Sequence, residues 1–195
     1  MGKIFCLIGK SSTGKDAIFK LLLQRKDLTL NQIVSYTTRP IRDGERPGEE
    51  YNFVTIEEKE ALEKKGKVVE SRCYNTVFGD WYYFTVDDET IDLANKDYII
   101  IGTVESFVKI RDYYGRDKVC PIYIEVEDGE RLQRALNRER KQKQPKYEEL
   151  CRRFLGDAAD FSDDKIKAAG IDNIFNNEED ISDTVYAIAE FIKNN

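Results

Sequence analysis

Gly9-Lys10-Ser11-Ser12-Thr13-Gly14-Lys15-Asp16 lies between a continuous apolar run, Ile4 to Ile8, and a segment of helical periodicity, about Gly14 to Arg25. The spacing is G-x-x-x-x-G-K, and each element of it has a physical use. Glycines let the backbone turn so that successive amides face phosphate oxygens, and the following helix adds its positive N-terminal end. Lys15 then reaches the outer phosphates as a point charge. An ordinary Gly-rich strand-to-helix turn needs neither the spacing nor the lysine. The segment Gly9, Lys10, Ser11, Ser12, Thr13, Gly14, Lys15 and Asp16 is therefore expected to bind a nucleotide phosphate chain. Asp16 stands where a hydroxyl residue normally ligates Mg²⁺. A carboxylate oxygen is also a ligand for a hard cation, so Asp16 becomes the candidate metal ligand.

Outward from this loop, the pattern repeats. Tyr98 to Ile101 and Val119 to Val126 are further buried-type strands, and Ile174-Phe175 is a last short one. Ala17, Ile18, Leu21 and Leu22 form an apolar face on the first helix. Helices are predicted from Glu105 to Tyr114 with Gly115 as cap, from about Glu130 to Lys141, onward past Pro145 through Leu155, and from Ile181 to Ile192. Buried strands alternating with helices imply an α/β fold, a central parallel sheet with helices on both faces. Between them, Ile33 to Thr38, Lys67 to Tyr74 and Phe78 to Val86 read as strands. Thr55 with Glu58 opens a short helix that stops near Gly66, and Asp87 reads as the cap of another. This denser stretch predicts a small mixed lobe inserted into the frame.

The 195 residues suit one domain, and the apolar share of 41% supplies a core. No apolar run reaches the roughly 18 residues of a membrane span. Ile4 to Ile8 is too short for a signal-peptide core, so a cytoplasmic location is expected. The net charge of −6 argues against general nucleic-acid binding. Histidine is absent, and Cys6, Cys73, Cys120 and Cys151 are far apart, which disfavours zinc sites and Ser-His or Cys-His catalysis. Cys6, Cys73 and Cys120 lie in strand-like runs and are expected as buried thiols. Nothing in the sequence specifies an oligomeric state.

Ser35-Tyr36-Thr37-Thr38-Arg39-Pro40-Ile41-Arg42, followed by Gly44-Glu45, Gly48, Tyr51 and Phe53, resembles the monophosphate-binding segment of guanylate kinases, S-x-T-T-R-x-x-R-x-G-E-x-x-G-x-x-Y-x-F. Two arginines three residues apart beside a tyrosine hydroxyl can clamp a dianionic phosphate through forked, charge-assisted hydrogen bonds. The resemblance implies that Arg39, Arg42 and Tyr51 hold the acceptor phosphate, with Ser35 nearer the base and Glu45 supporting the arginines. Glu70 fits the place of the glutamate that reads guanine. The family's Tyr-Tyr-Gly-Ser/Thr stretch is matched to Val77-Phe78-Gly79-Asp80. There Phe78 lacks the hydroxyl that touches phosphate, and Asp80 turns an acceptor towards guanine O6. Thr103 stands for the family's aspartate at the end of the strand Tyr98 to Ile101. Its loss beside the gain of Asp16 points to a relocated metal-binding carboxylate.

Arg131, Arg134, Arg138, Arg140, Lys141, Lys143 and Lys146 form a basic run with one acid, Glu139. Similar kinases close lid arginines over the phosphates, which implies Arg138 or Arg140 from the first lid helix and Arg153 from the second. The resemblance as a whole implies a P-loop three-layer α/β/α fold with a helical lid, in one domain over 1–195. Its core is expected at about 1–32, 87–128 and 156–195, the monophosphate lobe at 33–86 and the lid at 129–155. It also implies phosphoryl transfer from ATP, with Mg²⁺, to a nucleoside monophosphate such as GMP, with Lys15, Arg42, Arg138 and Arg153 catalytic. AMP or another phosphorylated metabolite on the same machinery, or a binding module like the guanylate-kinase-like domains of scaffolds, are the alternatives. Retention of Lys15 and both arginine sets favours catalysis.

Overall fold

Every residue of β1, Ile4–Ile8, is buried, and its alternate side chains enter two separate cores. Ile4, Cys6 and Ile8 pack with Val104, Phe107 and Ile110, whereas Phe5 and Leu7 pack with Ile18, Leu22, Ile188 and Ile192. A strand buried on both faces requires cover on both sides. The computed structural model, which describes residues 1–42, 44–76 and 79–195, supplies that cover with helices.

After β1 come α1 (Lys15–Gln24), β2 (Leu30–Gln32), β3 (Tyr36–Thr37), β4 (Asn52–Phe53) and α2 (Ile56–Lys64). The long hairpin β5 (Val68–Thr76) and β6 (Gly79–Val86) follows, then β7 (Asp97–Gly102), α3 (Val104–Tyr114) and β8 (Val119–Glu125). The chain continues through α4 (Asp128–Arg140), α5 (Tyr147–Asp160), α6 (Asp163–Ala169), β9 (Ile174–Asn176) and α7 (Ile181–Lys193). A five-stranded sheet has the order β2-β7-β1-β8-β9, and its pairings are all parallel. α1 and α7 cover one face, α3 and α6 the other. The α/β fold with a central parallel sheet is as expected. A second, four-stranded sheet, β4-β3-β6-β5, is mixed.

Three local expectations change. The stretch Ile33 to Thr38 is not one strand: β2 joins the parallel sheet and β3 the mixed one, so the chain crosses between sheets at Ile33 to Ser35. Asp87 caps no helix. Its carboxylate accepts the Glu89 amide, and Asp88 and Asp92 accept those of Thr90 and Ala94 in the same way. Such side-chain-to-backbone bonds offer the chain turns in place of a helix. Cys73 is exposed, because it lies on the outward face of β5, opposite Tyr82; all four cysteines are free thiols. Among the described residues, no helix is long and apolar enough to cross a membrane.

Candidate active site

In the parallel sheet, β1 lies between β7 and β8, so the chain leaves its carboxyl end at a point where neighbouring connections diverge. Open α/β sheets form their ligand crevices at such points. The loop 9–14 fills this one. Its curl needs left-handed backbone at Ser12 (φ 65°) and Gly14 (φ 88°). A Cβ on Gly14 would come within 2.5 Å of Asn177 Nδ2, so glycine is required there twice over. Thr13 is buried, donates to the Lys10 carbonyl at 3.0 Å, and its own carbonyl accepts Asn177 Nδ2 at 2.8 Å. Thr184 on α7 donates in turn to Asn177 Oδ1 at 3.2 Å.

α1 begins at Lys15 after the N-cap residue Gly14, and among the described residues no side chain caps its first amides. Uncapped N–H groups and the helix dipole together favour an anion. Lys15 Nζ donates to the Lys10 carbonyl at 3.2 Å across the loop, and burial lowers its pKa from the usual lysine range. Asp16 is exposed on the first turn of α1, and its charge is felt at Tyr51 of the mixed lobe.

Three arginines from α4 and α5 gather over Ser11 and Ser12. Arg131 is 1% exposed, donates to the Ser11 carbonyl at 2.9 Å and pairs with Asp157 and Asp128. Asp157 in turn accepts the Ser11 amide at 2.7 Å. Arg138 Nη2 reaches Ser12 Oγ at 3.3 Å, whereas Arg140 is exposed on the other side of the turn, so the structure brings only Arg138 of that pair to the loop. Arg153 Nε is buried without a hydrogen-bond partner among the described residues, 3.9 Å from a Glu149 oxygen. An unpaired buried guanidinium N–H is costly unless an anion completes it.

In the mixed lobe, Arg39 is 3% exposed and forms a fork with Glu45, at 2.6 and 2.7 Å. Its guanidinium lies over Tyr51 at 5.0 Å and Phe53 at 5.4 Å, and its Nε is buried without a partner among the described residues. Burial opposes the Glu45 charge, but the Arg39 fork and the Arg42 amide outweigh it and hold the carboxyl below the usual range. Arg42 points outward, within electrostatic range of Glu149 on α5. Ser35 lies at the crossing between the sheets, its carbonyl accepting the Asn52 amide at 2.9 Å.

Glu70 is 3% exposed and stands opposite Thr85, whose hydroxyl donates to Glu70 Oε1 at 2.9 Å. Arg72 pairs with the same carboxylate and reaches Thr103 Oγ1 at 3.4 Å, and Thr103 also caps α3. The register corrects the place of Asp80. It pairs with Asn75, five rungs along the hairpin from Glu70, or about 16 Å at strand spacing, too far for both to touch one base. Asp80 is exposed and accepts Asn75 Nδ2 at 2.7 Å. Phe78 lies outside the described residues. The side chains the sequence reading missed are Thr85 and Tyr83, the latter stacked edge-on against Tyr51 at 5.6 Å. The signal was present: Tyr82-Tyr83-Phe84-Thr85 carries the Tyr-Tyr-x-Thr order, further along the strand than the glycine at 79 implied. Arg72, Arg131 and Asp157 carried no such signal.

A cation is compatible with Asp16, an exposed oxygen donor on the first turn of α1 directly after the loop. Among the described residues, no cluster of three or more acidic, cysteine or histidine side chains forms a cage. Mg²⁺ usually needs no cage, since it binds through one or two carboxylates and the substrate phosphates.

A family model described as guanylate kinase matches residues 1–195. Guanylate kinase of Porphyromonas gingivalis is 31% identical over 126 residues, covering 64% of this chain and 65% of the relative. That of Neisseria meningitidis serogroup A is 35% identical over 112 residues, covering 57% and 53%. In these alignments the chain spans between about half and two thirds of the relatives' own lengths. The crystal structure of guanylate kinase from Anaplasma phagocytophilum superposes with a TM-score of 0.65 at 25% identity, covering 99% of this chain and 85% of that one.

Proposed function

Because this chain belongs to the guanylate kinase family, we propose that it transfers the γ-phosphoryl group of ATP to GMP, giving ADP and GDP, in the cytoplasm. The observation that carries the reading is the pairing of two anion sites on separate sheets. One is the loop with Lys15 and uncapped α1; the other is Arg39 with Glu45 and Tyr51. Asp16 opens α1 directly after the loop, and its charge is felt at Tyr51 of the other site. A donor triphosphate in the loop and an acceptor monophosphate at Arg39 would then face each other end to end.

Phosphoryl transfer asks little covalent chemistry of the protein and much positioning and charge stabilisation. Lys15 holds the outer phosphates of the donor. Arg39 and Arg42 hold the acceptor phosphate, with Glu45 fixing the Arg39 plane and Tyr51 lying beneath it. Arg138 and Arg153, on the helices of a lid at about 129–155, neutralise the charge that spreads over the transferring group. Mg²⁺ held at Asp16 and the phosphates would supply further charge neutralisation when bound. Glu70 and Ser35 face the base, and Thr85, whose hydroxyl bonds Glu70, takes the place beside the base that the sequence assigns to Asp80.

A coupled assay of ADP formation against GMP, dGMP, AMP, CMP and UMP tests the reading. Turnover with GMP and dGMP well above the others is expected. Equal turnover with AMP, or none with any acceptor while ATP still binds, rejects it.

A further inference from the structure

Arg72 places a second charge beside Glu70, and phosphate binding does not account for it. It follows Glu70 by two residues on β5, so both project from the same face of the strand. Their side chains are 13% and 1% exposed. Nε and Nη2 of Arg72 address the two Glu70 oxygens at 3.1 and 3.4 Å, which uses one edge of the guanidinium. Nη1 reaches Thr103 Oγ1 at 3.4 Å, at the start of α3. Thr85 completes the group from β6, at 2.9 Å from Glu70 Oε1. Neutralising Glu70 needs only that first edge. A guanidinium carries five N–H donors in a fixed plane, so the terminal nitrogens retain donor capacity beside the carboxylate. Glu70 Oε2, bonded among the described residues to Arg72 Nε alone, keeps acceptor capacity at the Nε end of the fork, while the free N–H donors lie at its Nη end.

We propose that Arg72 is a specificity-determining residue that donates to the 6-oxygen of the acceptor's purine while Glu70 accepts from the adjoining N1–H. The proposal rests on the reading that Glu70 faces the base of a nucleoside monophosphate. A donor and an acceptor held together in one ion pair complement a 6-oxo purine, whose own acceptor and donor are adjacent. Arginine is also the side chain that most often reads the O6 edge of guanine. Adenine reverses both groups: its amine faces the Arg72 donors and its bare N1 faces the carboxylate. Two buried mismatches follow, and a site that hydrogen-bonds its substrate rejects such an analogue strongly.

Equilibrium binding of GMP, IMP and AMP to the full chain, without ATP, tests this by calorimetry on the wild type, Arg72→Met and Arg72→Lys. The wild type is expected to bind GMP and IMP more tightly than AMP. Arg72→Met is expected to weaken GMP and IMP by about tenfold or more while leaving AMP within about threefold, the scale of one arginine–base contact. Arg72→Lys, which keeps a charge beside Glu70, is expected to give an intermediate loss confined to the 6-oxo purines. Equal losses for all three ligands in either variant would mean that Arg72 only supports the fold, and would overturn the proposal, as would a wild type that binds AMP as tightly as GMP. If Arg72→Met fails to fold, the lysine variant decides on the same criterion. Because binding is read without turnover, absence of phosphoryl transfer would reject the proposed function and leave this test intact.

Discussion

The carboxylate of Asp157 accepts the backbone amide of Ser11 at 2.7 Å, and so ties α5 to the phosphate loop. Arg131, almost wholly buried, bonds the Ser11 carbonyl and Asp157 together. Asp157→Ala would leave the Ser11 amide unpaired and Arg131 with only Asp128 for its charge. Removing one partner of a buried polar network costs about 1–3 kcal/mol. A lower thermal midpoint with a raised KM for ATP is the expected result; a raised KM at unchanged stability would show the contact to be local to the loop.

Lys15 is expected to matter to turnover rather than to folding. Its burial disfavours the charged form, which lowers its pKa. Lys15→Met should therefore cut kcat by about a hundredfold or more, as loss of one transition-state charge contact does, while thermal stability stays equal or rises. The same shift has a pH consequence in the free protein. The charged form is lost as pH rises through a value below that of an ordinary lysine, so ATP affinity should begin to fall correspondingly early on the alkaline side. An affinity flat up to the normal lysine range would contradict it.

Glu45 makes a prediction at the acid end. Its folded pKa lies below its ordinary 4.5, so its stabilising contribution is full above that value and is lost as pH falls through the folded one. The difference in thermal midpoint between wild type and Glu45→Gln should be largest near neutrality and shrink below about pH 4. A difference independent of pH would mean that the Arg39 fork contributes through shape alone.

Asp16 can be separated from the rest by its ion. Asp16→Asn keeps the size and removes the charge, and should raise the Mg²⁺ concentration for half-maximal activity severalfold. An unchanged Mg²⁺ dependence would remove Asp16 from the metal site.

The frame of the molecule was legible because its signals are local. A buried strand, a G-x-x-x-x-G-K turn and an amphipathic helix name themselves within residues 4 to 25. The Arg39 segment was legible for the same reason, as its residues act on one loop. The hairpin was not. Whether Asp80 or Thr85 lies beside Glu70 depends on which residues turn the corner between β5 and β6, and a shift of register moves every partner along the strand. The same holds for Arg72, whose role follows from α3 arriving opposite it, and for Asp157, which meets Ser11 across 146 residues of chain. Contacts closed by tertiary structure leave no spacing to read.

The hydrogen bond from Asn177 to the Thr13 carbonyl spans 164 residues, and Thr184 holds Asn177 in place. During synthesis, the side chains that fix the loop's curl emerge well over a hundred residues after the loop itself, 164 residues in the case of Asn177. Chains grow N-terminus first, at about 5–20 residues per second. For most of that time the nascent chain carries a lysine and a row of amides with no fixed geometry to offer a nucleotide. Docking of β9 and α7 thus serves as a checkpoint, and binding competence arrives with these distant elements rather than with the loop's own residues.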